Sequence, residues 1–296
     1  MALAKAIDAN LLEFALGAEF PRVRCYADDP GSEISSEKPL VLLHSINAAP
    51  SSMEMKPLFE HYRGSRPVYS LDLPGFGQSP REDLAYSPAF YAGVVARFLD
   101  SISSLAAADV VALSLSAEFL VRAVVEQGAA VSSITLISPT GMGHRQPRTS
   151  KAAQGVTGFL ARSALGTPLW RALVSKPSIR FFLGQAFHRG AAPKPLVDYA
   201  YATAQQSGAK YAPFAFLSMG LFTPNAIESL YQLLSVPTLI LYDRDPNIGF
   251  ERLDELLNSN LAIRAERIEP SLGLPHWEHT QRTCDLIDQF WREEGA

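Results

Sequence analysis

Short β-rich runs separated by helical patterns recur along most of this 296-residue chain, and that alternation constrains its fold more than any other feature. The runs are Arg22 to Tyr26, "PLVLLHS" from Pro39, "RPVYSLDLP" from Arg66, "DVVALS" from Asp109, "SSITLISP" from Ser132, "PTLILYD" from Pro237 and "RAERIEP" from Arg264. Between them lie segments such as "PAFYAGVVARFLDSI" and "EFLVRAVVEQG", whose apolar residues recur every three or four positions, the spacing of one helix face. Strands alternating with helices predict an α/β fold with a mostly parallel central sheet and helices on both of its faces. Near the N-terminus, "LLEFAL" reads as a short amphipathic helix packed on the body.

The alternation stops between Gly141 and Pro224. Segments such as "GVTGFLARSALGTPLWRALVS" and "YAPFAFLSMGLF" are helical by pattern and dense in aromatics, and they separate the fifth of these runs from the sixth. Long insertions between core elements commonly serve as lids or binding segments. The expected organisation is a core of residues 1–140 and 225–296 with a helical cap, 141–224, inserted into it. Composition fits one such unit: 47% of residues are hydrophobic and 19% charged.

A formal charge of −4, with no stripe of Lys or Arg, argues against a nucleic-acid partner. Cys25 and Cys284 stand far apart without metal-ligand spacing, which suits a reducing compartment. Asp8 and Glu13 interrupt the N-terminal apolar residues, and no uncharged apolar stretch reaches membrane-spanning length. A cytoplasmic protein with a small-molecule substrate, no membrane partner and no metal or organic cofactor is expected.

In open α/β sheets ligands bind at the carboxyl ends of the strands. Here those ends carry His44-Ser45-Ile46-Asn47, Gly75 to Ser79, Ser114, Pro139-Thr140, Asp243 and Asp245, and a last loop that ends in His276. A serine, a carboxylate and a histidine therefore converge on one sheet edge, the set needed for a nucleophile, a base and an acid that orients the base.

Four stretches resemble the α/β-hydrolase superfamily, and together they span nearly the whole chain. "DLPGFGQS", Asp72 to Ser79, is similar to its D-x-P-G-x-G-x-S turn; "VVALSLSA" is similar to its G-x-S-x-G nucleophile elbow, with Ala112 and Ser116 in place of glycine; "LILYDRDP" and "GLPHWEH" resemble its acid and histidine segments. "LLHSINAA" resembles the corresponding loop of bacterial members. The cap is expected to be inserted after the sixth strand of the core. The resemblance implies Ser114 as nucleophile, because Glu118 stands where Ser116 would need a small residue. It implies Asp245, next to Pro246, as the acid, with Asp243 the competitor. His276 is implied as the base in preference to His279, with Trp277 in the supporting loop. The interval from His276 to "LIDQF" is about one helical turn shorter than in typical members.

The same resemblance implies an oxyanion hole formed by the N–H groups of Leu115 and Ile46, with Ser45 replacing a glycine and His44 supporting the loop. A serine at the elbow argues against dehalogenase and epoxide-hydrolase chemistry, which use a carboxylate there. The expected activity is a carboxylesterase-type serine hydrolase for a small-to-medium, largely apolar substrate. Two alternatives stand beside it: a C–C bond hydrolase of ring-cleavage products, and an inactive ligand-binding homologue. Cap aromatics could line a pocket or simply form core. Arg145, Arg148 and Lys151 could receive an anionic group, although a solvated loop is the commoner reading of such residues.

Overall fold

Every residue of "LVLL" and of "ADVVAL" is buried, as strands covered on both faces must be. In the computed structural model, which describes residues 3–29, 38–102, 107–147 and 150–294, these two runs lie at the centre of an eight-stranded sheet. Arg148 falls outside the described residues.

The strands are β1 (Asn10–Phe14), β2 (Val23–Asp28), β3 (Leu40–Leu43), β4 (Val68–Asp72), β5 (Ala108–Leu113), β6 (Val131–Ile137), β7 (Thr238–Tyr242) and β8 (Ile263–Arg267). Their order across the sheet is β1-β2-β4-β3-β5-β6-β7-β8. β2 runs antiparallel to β1 and β4, and the other pairings are parallel. The helices are α1 (Lys56–Tyr62), α2 (Pro88–Ile102), α3 (Ser116–Gln127), α4 (Lys151–Arg162), α5 (Gly166–Leu173), α6 (Lys176–Gly184), α7 (Lys194–Ala204), α8 (Tyr211–Leu217), α9 (Ala226–Ser229), α10 (Leu253–Ser259), α11 (Pro275–Glu278) and α12 (Thr280–Glu294).

Successive strand side chains point to opposite faces. Val41, Leu43, Val110 and Ala112 accordingly join a cluster with α2, α3 and α10, whereas Leu40, Leu42, Val111 and Leu113 join one with α1 and α12. "LLEFAL" is not the expected helix. Its first residues belong to edge strand β1, where Glu13 bridges Arg22 and Arg24 at 2.6 Å each. Six residues are too few to repay helix nucleation, while pairing with β2 satisfies the backbone immediately.

Two polar braces hold opposite ends of the sheet. At the amino end, Arg66 pairs with Asp109 at 2.6 Å, both buried, and Asp109 also accepts from the Ser133 hydroxyl. At the carboxyl end, the Asp72 carboxylate accepts from the N–H groups of Ser52 and Gln78, both at 2.7 Å. Gly77 (φ 51°) passes so close that a Cβ there would lie 2.0 Å from Asp72 Cγ, so the turn requires glycine.

Between β6 and β7 the chain leaves the sheet. Helices α4 to α8 pack around a small core of their own that includes Trp170, Val174, Ile179, Val197 and Phe214. Glu118, in the first turn of α3, ties both ends of this insertion: its buried carboxyl accepts from the Thr140 hydroxyl and, at 2.7 Å, from the Thr223 N–H.

Asp109→Ala leaves the Arg66 guanidinium buried without a carboxylate and is expected to cost about 3 to 5 kcal/mol in urea unfolding. A loss under about 1 kcal/mol would show that the pair is not a brace.

Candidate active site

β5 ends at Leu113 and α3 begins at Ser116, so two residues make the turn. Ser114 takes the strain in the left-handed region, φ 56°, a conformation that costs a non-glycine residue on the order of 1 kcal/mol or more. Its N–H donates to Ile137 O at 2.9 Å and its carbonyl accepts from Ala117 N at 3.1 Å. The side chain is thereby presented to a cavity of about 360 Å³, and its hydroxyl bonds no other described residue. Ala112 and Ser116 are fully buried beside it, and the Ser116 hydroxyl donates to His44 O, tying the turn to the loop after β3.

That loop is stretched across a buried carboxylate. Glu54 accepts from Ser45 N at 2.9 Å through one oxygen and from Asn47 Nδ2 at 3.0 Å through the other. His44 Nε2 accepts from Leu73 N at 3.0 Å, which leaves Nδ1 to donate to Ser45 O. Ser45 has no positive φ, so the backbone of this loop does not require glycine there. Within this frame the backbone N–H groups of Ile46 and Leu115 make no hydrogen bond to any described residue, and both residues line the cavity beside Ser114.

The two aspartates after β7 separate clearly. Asp243 is 3% exposed and engaged with Arg267 Nε (2.7 Å) and Ser271 N (2.9 Å). Asp245 lines the cavity; one oxygen caps Asn247 N (2.7 Å) and Ile248 N (3.0 Å), and the other makes no hydrogen bond to a described residue. Burial raises the Asp245 pKa despite those two N–H bonds.

His276 is not brought into the cavity. It is fully buried in α11, its Nε2 lies 2.8 Å from Glu54 O, and Nδ1 has no partner. Trp277 Nε1 donates to the same carbonyl at 2.7 Å, and His279 Nε2 lies 2.8 Å from Pro270 O. Burial lowers the His276 pKa from 6.5 to about 4, so the ring is neutral at pH 7. The residue of this loop that does meet Asp245 is Gly273: a Cβ built there would lie 2.6 Å from Asp245 Oδ2. His276 stands three residues beyond this point and meets the Glu54 carbonyl instead.

Glu54 escaped the sequence reading. The available signal was an acid inside the apolar "SSMEMKPLF", one turn after a strand-end loop. Burial raises its pKa, partly offset by His44 and by the Ser45 and Asn47 donors. Among the described residues, no group of three or more His, Cys, Asp and Glu is placed to hold a metal ion.

Because the folded-state pKa of His276 lies below its unfolded value, its contribution to stability is complete above about pH 6.5 and is lost as pH falls towards 4. The loss should be on the order of 3 kcal/mol. His276→Gln, which keeps a donor for the Glu54 carbonyl, should flatten this part of the stability profile measured by urea unfolding between pH 7 and 4.5. An unchanged slope would contradict the buried neutral imidazole.

The sequence profile of the alpha/beta hydrolase family matches residues 40–286. A comparison with curated proteins found no matching sequence. Among solved structures, a bromoperoxidase from Bacillus anthracis is 14% identical with a TM-score of 0.72, covering 96% of this chain and 100% of its own. Carboxylesterase CesB from Bacillus subtilis is 15% identical with a TM-score of 0.67, over 96% and 92% of the two chains. A serine hydrolase involved in carbazole degradation is 14% identical with a TM-score of 0.71, over 96% and 99%. At these identities the neighbours establish the fold, and with the family profile covering most of the sequence, the chain belongs to the alpha/beta hydrolase family.

Proposed function

We propose that this alpha/beta hydrolase is a serine-type acyl hydrolase for uncharged, largely apolar substrates, with Ser114 as its nucleophile. One observation carries the reading: a strained serine at a strand-to-helix turn shares its cavity with two otherwise unbonded backbone N–H groups, those of Ile46 and Leu115. Preorganised donors of this kind stabilise the charge that develops on a carbonyl oxygen under attack.

Ser114 Oγ adds to the carbonyl carbon while its proton passes to a base; the carbonyl electron pair moves to the oxygen, facing Ile46 and Leu115. Collapse breaks the bond to the leaving group, which takes the proton, and water then hydrolyses the acyl-serine and regenerates the hydroxyl. In this reading the Asp245 oxygen that caps no N–H group serves as the proton acceptor through a water molecule, and His276 braces the Glu54 carbonyl. Leu173, Ile179, Phe182, Leu183, Phe216 and Phe222 supply apolar walls that favour an acyl chain or an aromatic group.

A second reading keeps the Ser114–His276–Asp245 triad that the sequence implies. Its support is the orphaned Nδ1 of His276: a buried ring nitrogen without a partner is costly, and in the triad the other tautomer would carry the proton on Nδ1 and donate it to the Asp245 carboxylate.

Fluorophosphonate should label the protein at Ser114, and Ser114→Ala should abolish both labelling and hydrolysis of short-chain aryl esters; a folded protein that resists labelling would instead be a binding homologue. Asp245→Asn should lower kcat by roughly 100-fold or more. His276→Ala should retain activity within about a factor of five of a stability-matched control, whereas a loss of about 10⁴-fold would select the triad.

A further inference from the structure

We propose that the outer face of the inserted helices docks on the surface of an anionic lipid bilayer. The chain's small net charge hides a steep partition: residues 141–224 hold ten of the 26 Lys and Arg but one of the 30 Asp and Glu, Asp198. Neither the overall charge nor any local run discloses this, because the basic residues are spaced along several helices. The expectation of no membrane partner rested on the lack of an apolar stretch of membrane-spanning length, a measure that does not register contact with a bilayer surface.

Apolar exposure coincides with the positive charge. Val156 and Phe159, one turn apart on α4, are 60% and 62% exposed; Leu165 and Leu169, at the start of α5, are 68% and 52% exposed; Phe181 and Phe182 on α6 are 62% and 55% exposed. Lys151, Arg171, Arg180 and Arg189 are exposed on the same segment and form no ion pair with a described residue. Only Asp198 answers the positive charge from within the segment, and it is already shared by Lys176 (3.0 Å) and Lys194 (2.5 Å).

Exposed aromatic and leucine side chains beside unpaired cations are the chemistry of a helical surface that lies in a membrane interface. Apolar groups enter the headgroup boundary while Lys and Arg meet anionic headgroups. No described helix is long and apolar enough to cross a membrane, so the contact is superficial. A second copy of the chain fits this face poorly, since apposing two such faces would bring like charges together. The face is also continuous with the cavity: Phe182 and Leu217 are exposed and line it. The docking does not depend on the acyl-hydrolase reading, and its test reads no catalysis.

The experiment is co-sedimentation of the full chain with vesicles of phosphatidylcholine alone or with about 30% phosphatidylserine, at low salt and at about 0.5 M NaCl. Binding to the anionic vesicles should exceed binding to neutral ones by at least about tenfold and should be lost at high salt. Phe159→Asp with Phe181→Asp, and separately Arg171→Glu with Arg180→Glu, should each reduce binding by about tenfold or more with an unchanged thermal melt. Equal binding to both vesicle types, binding to neither, or full binding by both double variants would overturn the proposal. So would lipid-free self-association in sedimentation velocity that the phenylalanine variant abolishes, which would assign the face to a second copy.

Discussion

Burial of the central parallel strands on both faces is the constraint on which the remaining structure depends. A strand such as β5, with no solvent-facing side, needs helices above and below it, and parallel neighbours need those helices as crossovers. The carboxyl ends of β3, β5, β6 and β7 then fall on one edge. Whatever the chain places immediately after these strands becomes a set of neighbours, although the residues are distant in sequence. Ser114, Ile46, Thr140 and Asp245 face one cavity for this reason.

Convergence alone would leave flexible loops, and buried polar contacts give them fixed positions. The Glu54 side chain orders the loop that carries Ile46, while its carbonyl receives His276 and Trp277. One residue thus couples the loop after β3 to the last helices of the chain. Glu118 does the same for the insertion, joining its two ends to the helix that follows Ser114. Both carboxyls are removed from water, and satisfying them with several donors is what makes such burial tolerable.

Burial also sets the electrostatic character of the cavity and its surroundings. It raises the pKa of Glu54 and Asp245 and lowers that of His276, so each group is pushed towards its neutral form. The uncharged, largely apolar substrate proposed above would meet such groups and the apolar walls together. The exposed face of the same insertion carries unpaired cations, so charge is kept outside the cavity while apolar side chains, Phe182 among them, serve both surfaces.

The alternation of apolar runs and helical patterns determined the α/β class, because short, β-branched-rich apolar runs separated by segments of helical period suit parallel strands buried beneath crossover helices. The turn "DLPGFGQS" and the serine after "DVVAL" were legible for a related reason: Gly77 has no room for a side chain, and Ser114 sits where a buried strand must turn sharply into a helix. Tertiary structure alone decided the rest. Edge pairing with β2 overrode the helical appearance of "LLEFAL". The path of the last loop put Gly273 against Asp245 and turned His276 towards the Glu54 carbonyl. The positive face of the insertion was written in the composition yet became visible only when folding separated exposed cations and phenylalanines from the buried residues between them.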